Sequence, residues 1–334
     1  MRIAHVILTS RFAGSERYAL ELAAAQAAAG DEVHLLLRRR ALQARPDALG
    51  HRVGPGVVVH AVPDWLPAWH GRRRLDALAP DVAHGHLSAG CRAVAGCRRA
   101  GARVATLHIA YKPRQHARLD GLVAIAPWQM AAIPEPLRAR SVQVDNWTRP
   151  APPAPGAREA LRAAHGIAPG DYLFGALGRV EDSKGLDVLA EAFARAALPG
   201  ARLAIVGQGR AWRALRRRAP AEVVMPGFAA RPQDWLAAFD CFVSAARSEP
   251  FGLVFLEALQ AGLPVVATAS QGARHLASHL GGALVPVDDD DALAAALGRA
   301  LGTPRRDGDE AVAGFRIEPR LAALSAFYQA RLAD

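Results

Sequence analysis

The sequence predicts an α/β protein built from two Rossmann-like βαβ domains. Three observations carry that expectation. Short apolar runs of strand length alternate with Ala- and Leu-rich helical stretches through the first half of the chain. A Pro-rich stretch without periodicity, RPAPPAPG at 149–156, interrupts the alternation and has the composition of a semi-rigid linker. Beyond it the alternation restarts at Tyr172, which argues for a second domain rather than one large sheet. A length of 334 residues suits two domains of ~100–200 residues each.

The elements follow in order. Arg2–Leu8 is apolar and short, a buried strand. Gly14 and Ser15 are expected to make a turn and an N-cap, with a helix running on through Leu20 and Leu22 to Gly30. Glu32–Leu37 completes a βαβ start, 41–56 reads as loop, and Val57–Val62 as strand. RRRLDAL at 72–78 reads as a short basic helix, either a solvated face or a contact for an acidic acceptor or membrane surface. DVAHGH at 81–86 is a strand, followed by a helix to about Ala100 and the strand RVATLH at 103–108. His84 and His86 share one strand face; with no Cys or carboxylate beside them they are expected to be packed and hydrogen-bonded, not metal ligands. His108 differs, because it stands where an apolar strand leaves the sheet, a place from which an imidazole can act on a hydroxyl. The basic segment 110–121 is expected over the acceptor; 119–133 reads as strand, turn and helix, and 141–150 as a last strand and exit.

In the second half, Tyr172–Leu177 is a strand leading into Gly178, Arg179, Lys184 and Gly185 before a helix. Cations at a strand end and just before a helix can neutralise a diphosphate without metal. Gly207 and Gly209 tighten a turn after the strand ARLAIV, but the third Gly of a dinucleotide fingerprint is missing. The stretch SEPFGLVFLEALQAGLPVV, 248–266, carries most of the expected chemistry. Pro250 and Gly252 mark a turn into a helix closed by Gly262. Glu249 precedes that helix and Glu257 lies in its first two turns, so both carboxylates can look over its amino end. The N–H groups of Phe251, Gly252 and Leu253 add donors there. Strands precede and follow, which puts the turn at the carboxyl end of a parallel sheet, where such folds bind ligands. Asp288–Asp291 includes a D-x-D string, but these aspartates precede a helix and read as N-capping, so no metal and no cofactor is expected.

Composition narrows the classes further. The formal charge is +10, and lysine occurs only at Lys112 and Lys184. Aromatics are sparse and the Arg clusters at 38–40, 72–74 and 216–218 fall on different elements, which excludes a nucleic-acid motif; an anionic lipid or polyphosphate remains a fitting partner. Cys91, Cys97 and Cys241 fit neither a disulfide framework nor a zinc spacing. No apolar run reaches the ~20 residues of a membrane span, and the N-terminus reads as a strand, not a signal peptide. A cytoplasmic protein, peripheral to the inner face of the cell membrane at most, is the expectation.

E-P-F-G-L-V-F-L-E resembles the E-x7-E signature of the retaining family GT4 glycosyltransferases of the GT-B superfamily. AGSER at 13–17 resembles that family's GGAER turn, T-L-H at 106–108 its strand-end histidine, and Gly178–Gly185 its G-R-x4-K-G pattern. The resemblance implies two domains facing across a cleft: 1–148 for the acceptor, a linker at 149–156, 157–312 for a nucleotide sugar, and a helix in 313–334 returning to the first domain. It implies that Arg179 and Lys184 take the diphosphate, Glu249 the sugar hydroxyls, Glu257 the ribose and His108 the sugar. Gly14 and Ser15 would approach the diphosphate, with Gly178, Gly207 and Phe228 near the nucleotide. The implied reaction moves a sugar from a nucleoside-diphosphate sugar to a hydroxyl of a saccharide or lipid-linked saccharide, in lipopolysaccharide or other cell-surface polysaccharide synthesis. Ile109, Trp147 and His275 depart from the family pattern. A sugar-nucleotide epimerase or hydrolase, or an inactive scaffold subunit, stays open beside the transferase.

Overall fold

The computed structural model describes residues 1–149, 151–281 and 284–333; Pro150 of the expected linker, residues 282–283 and Asp334 lie outside the described residues. The chain forms two α/β units, one made of Met1–Asn146 with the chain from Ile317 onward, the other of Trp147–Arg316.

The first unit holds seven strands: β1 (Arg2–Ile7), β2 (Glu32–Arg38), β3 (Val57–Val62), β4 (Val82–His86), β5 (Ala102–Leu107), β6 (Gly121–Ala124) and β7 (Val142–Gln143). Their order is β3-β2-β1-β4-β5-β6-β7, all parallel. β1 and β4 are neighbours although 74 residues of chain lie between Ile7 and the start of β4 at Val82. Continuous Val, Ile, Leu and Ala runs suit strands buried on both faces, and every residue from Ile3 to Ile7 is fully buried. Ala4, Val6, Ala83 and Ala105 pack on one side, and Ile7, Leu35 and Leu37 with Ala19 and Leu20 on the other.

Local chemistry moves some boundaries. The first helix is Gly14–Ala28, with Ala13 at the N-cap and no side-chain cap, so Ser15 lies inside the first turn instead of capping it. The Ala13 carbonyl already accepts from Arg17 N at 2.9 Å, so the first helical hydrogen bond closes ahead of Ser15. The basic helix begins earlier than expected and spans Pro67–Leu78, because Pro67 supplies a first-turn residue that needs no N–H partner. The next helix, Leu87–Gly96, stops short of Ala100. Asp76 Oδ1 accepts from Arg98 N at 2.7 Å, which takes an N–H that a longer helix would need. β7 is only two residues long. The terminal helix Ile317–Ala333 belongs to this unit and buries Leu324, Phe327 and Tyr328.

The second unit carries β8 (Tyr172–Leu177), β9 (Ala201–Val206), β10 (Val223–Gly227), β11 (Cys241–Ser244) and β12 (Val265–Ala267), in the parallel order β10-β9-β8-β11-β12. The chain steps outward from β8 in one direction and restarts at β11 in the other, so β8 and β11 flank the topological switch point. Phe174, Leu203, Ile205 and Val243 pack against Leu189, Phe193, Leu293 and Leu297 on one face. All three cysteines are buried, and burial pushes the Cys91 and Cys241 thiols up to about 12, which keeps them protonated. Among the described residues no helix is long and apolar enough to cross a membrane.

Candidate active site

In the second unit the loops after β8 and β11 meet at the switch point. Gly178 follows β8 with φ 152°, and the chain continues through a short 3₁₀ turn, Asp182–Lys184, to Gly185 at φ 58°. A Cβ at Gly185 would stand 2.0 Å from the Ala245 carbonyl, so only glycine lets this loop lie against the loop after β11. Ser248 N donates to Ser183 O at 3.1 Å. The outcome is a direct pair: Lys184 Nζ lies 2.5 Å from Glu249 Oε2, with side-chain exposures of 25% and 14%. Two of the four expected catalytic side chains are therefore in contact.

Glu249 is held from behind. Its carbonyl accepts from Gly272 N at 2.7 Å, and its N–H donates to Gln271 Oε1 at 3.3 Å. The helix Leu253–Gln260 starts four residues later, with Gly252 at φ 87° as N-cap. A Cβ there would strike the Phe255 ring at 2.3 Å, so the motif's glycine is a steric requirement. Phe251 turns its ring into the core, which leaves its backbone as the part that can meet a ligand, and Leu253 is the first helical residue. Glu257 is half-buried within the second turn of that helix. His275, one of the departures from the resembled pattern, sits with its ring centroid 5.7 Å from that of Phe251.

Arg179 is not drawn to the Lys184–Glu249 pair. Its guanidinium bonds Glu181 Oε1 at 3.0 Å and is 65% exposed. Phe228 follows β10 and is 48% exposed. Gly207, at φ 140°, gives its N–H to Gly227 O at 2.8 Å, and a Cβ there would stand 1.8 Å from the Gly178 carbonyl. Gly207→Ala is expected to destabilise the second unit by roughly 3 kcal/mol, from overpacking plus a left-handed backbone; chemical denaturation reads it, and unchanged stability would contradict this packing.

Sequence reasoning missed Arg247. It bonds Asp187 Oδ2 at 2.8 Å, Asp288 Oδ1 at 2.6 Å and the Asp182 carbonyl at 2.8 Å, and these carboxylates hold its pKa above the usual range. The arginine clamps the Lys184 turn onto the β11 loop. Its place two residues before Glu249 was the available signal.

His108, Gly14 and Ser15 belong to the first unit. His108 directly follows β5, is 8% exposed, and its Nε2 lies 3.1 Å from His86 Nδ1. Burial lowers its pKa to about 3, so the ring is neutral near pH 7. His84 and His86 are packed and hydrogen-bonded, and His5 of β1 joins them, which the strand pattern of β4 alone did not reveal. His5, His84 and His86 place one ligand atom each within 4.8 Å of one another.

Comparison with known proteins fits this arrangement. The family model described as Glycosyltransferase Family 4 matches residues 12–172, and that described as Glycosyl transferases group 1 matches 171–303. The lipopolysaccharide core biosynthesis glycosyltransferase LpsE of Rhizobium meliloti (strain 1021) is 34% identical over 127 residues, 36% of this chain and 37% of that protein. A GDP-mannose-dependent monoacylated alpha-(1-6)-phosphatidylinositol monomannoside mannosyltransferase of Corynebacterium glutamicum is 33% identical over 177 residues, 49% of this chain and 46% of that protein. The matches thus span less than half the length of these relatives. Anabaena Alr3699/HepE, solved in complex with UDP and glucose, superposes with a TM-score of 0.77 at 18% identity, covering 98% of both chains, which shows the fold. With its two parallel-sheet units and the two family models spanning them in succession, the chain belongs to the GT4-type glycosyltransferases of GT-B fold.

Proposed function

We propose that this protein transfers a sugar from a nucleoside-diphosphate sugar to a hydroxyl of a saccharide acceptor, with retention of anomeric configuration. The observation that carries the proposal is the contact of Lys184 with Glu249 at the switch point of the second unit, beside the amino end of Leu253–Gln260. In such a transfer the bond from anomeric carbon to diphosphate breaks while the acceptor oxygen bonds that carbon, and the acceptor proton leaves with the diphosphate. Lys184, Arg179 and the first helical N–H groups are suited to the departing charge, a case of electrostatic preorganisation. Glu249 is suited to orient sugar hydroxyls, Glu257 to hold the ribose, and His108 to receive a sugar hydroxyl. The D-x-D string is assigned no metal, since Asp288 pairs with Arg247, Asp289 caps its helix, and Asp290 and Asp291 pair with Arg195. A thermal-shift screen of UDP-, GDP-, ADP- and CMP-sugars, followed by anomeric analysis of the product, tests the proposal. One nucleotide class is expected to raise the melting temperature and to give a retained glycoside. Donor turnover without acceptor would instead assign a hydrolase or epimerase.

The acceptor is proposed to be a lipid-linked or lipopolysaccharide-core saccharide at an anionic membrane surface. The name of the R. meliloti relative supports the acceptor class. The surface itself supports the location: Trp65, Leu66 and Trp69 are 64%, 63% and 44% exposed at the start of the helix that carries Arg72–Arg74, and Arg73 lies over the Trp69 ring at 4.8 Å. Exposed tryptophans beside arginines suit the headgroup layer of anionic lipid. The double substitution W65S/W69S is expected to cut co-sedimentation with phosphatidylglycerol vesicles at least tenfold while transfer to a soluble acceptor persists. Undiminished sedimentation would remove this surface from the proposal.

A further inference from the structure

We infer that a buried hydrogen-bond chain running Gln26–His5–His86–His108 holds the imidazole of His108 as its Nε2–H tautomer and keeps Nδ1 as a hydrogen-bond acceptor. Gln26 Oε1 lies 2.6 Å from His5 Nε2, His5 Nδ1 lies 3.0 Å from His86 Nε2, and His86 Nδ1 lies 3.1 Å from His108 Nε2. Gln26, His5 and His86 are at most 1% exposed. Desolvation lowers the pKa values of all three histidines, so each ring carries a single proton near pH 7.

Valence then decides the rest. An amide oxygen can only accept, so His5 Nε2 must carry the proton and its Nδ1 must accept. His86 therefore donates from Nε2 and accepts at Nδ1, and His108 donates from Nε2. The lone pair of His108 Nδ1 is what remains at the end of the chain. A second branch sets the direction of the Gln26 amide. Gln26 Nε2 lies 3.4 Å from Tyr328 Oη, and Tyr328 Oη lies 2.6 Å from His84 Nδ1. That short distance is typical of a hydroxyl donor, so Tyr328 donates to His84 and its oxygen accepts from the Gln26 amide nitrogen. His84 in turn donates from Nε2 to Thr106 Oγ1 at 2.8 Å. Tyr328 stands on the terminal helix, so the last element of the chain takes part in orienting the strand-end histidine.

Gln26, His5 and His86 are positioning residues: they act through His108. The use of the His108 lone pair on a sugar hydroxyl rests on the function proposed above, but its tautomer does not. The metal alternative is weaker, because the His5 and His86 nitrogens that face each other are 3.0 Å apart and already share a proton.

The test is long-range 1H–15N imidazole spectroscopy of the full chain labelled at its 12 histidines, assigned with single His→Gln variants. His5, His86 and His108 are expected as neutral Nε2–H tautomers from pH 6 to 8. Gln26→Met, isosteric but without the acceptor, is expected to turn His108 into a tautomer mixture. An Nδ1–H or doubly protonated His108 in the wild type would overturn the inference, as would an unchanged His108 in folded Gln26→Met. Stoichiometric Zn²⁺ binding that shifts His5, His84 and His86 together would replace the chain by a metal centre. If Gln26→Met does not fold, the wild-type spectrum alone decides. The spectrum needs no transfer assay, so failure of the proposed reaction and failure of the tautomer chain are read separately.

Discussion

Lys184→Ala and Glu249→Ala are each expected to lower glycosyl transfer at least a hundredfold while the protein stays folded. Removing one preorganised group that meets charge developing in a transition state costs ~10²–10³ in rate. In the proposed reaction Lys184 is that group for the diphosphate, and Glu249 lies 2.5 Å from its ammonium, placed to hold it. Each truncation therefore removes one function and disorders the other. The two are expected to be non-additive: the double substitution should cost little more than either single one, as befits residues that act as a unit. The fold should tolerate both changes, because a partly exposed ion pair is worth only ~1 kcal/mol. Circular dichroism separates a folded inactive variant from an unfolded one. Near-wild-type turnover in either single variant would remove these residues from the reaction.

Lowering the pH from 6.5 to 5 is expected to destabilise the first unit steeply. His5, His84, His86 and His108 are buried, and desolvation lowers all four pKa values, to about 4 for His5 and about 3 for His108. The sign follows from proton counting. Below the unfolded value near 6.5 the unfolded chain binds protons that the folded unit refuses, so stability rises with pH in that window and is lost as pH falls. Each histidine contributes a slope of roughly 1 kcal/mol per pH unit. Carboxylates titrate lower and leave the window largely clear. Thermal melts at pH 7, 6 and 5, with hydrogen exchange resolved to the amides of β1 and β4, read the effect. His84→Asn should flatten the slope by about one proton's worth. Melting that does not change between pH 7 and 5 would show the cluster to be solvated or already charged.

Much of the fold is legible because strands and helices are local. The apolar runs that become β1, β2, β8 and β9 need no partner to be recognised, and Gly30, Gly185 and Gly262 mark positions where only left-handed backbone continues the chain. The Gly178–Gly185 and Glu249–Glu257 motifs are equally local, since each is one loop with its following helix. The errors fall at element boundaries. Ser15 looked like a cap because serine favours that place, yet Ala13 starts the helix. The helix after β4 ends early because Asp76, from another helix, takes the N–H of Arg98.

Nothing in one segment reveals its partner across a parallel sheet. Lys184 and Glu249 lie 65 positions apart and meet because β8 and β11 are neighbours at a switch point. His5 and His84 lie side by side because β1 pairs with β4 in register, and Tyr328 reaches them from the far end of the chain. Residue types and spacing were enough for two α/β units, the glycosyltransferase family and the side chains that carry charge. Strand order and register, which arise from non-local burial and leave no periodic trace, decided which of those side chains touch and which proton each buried imidazole keeps.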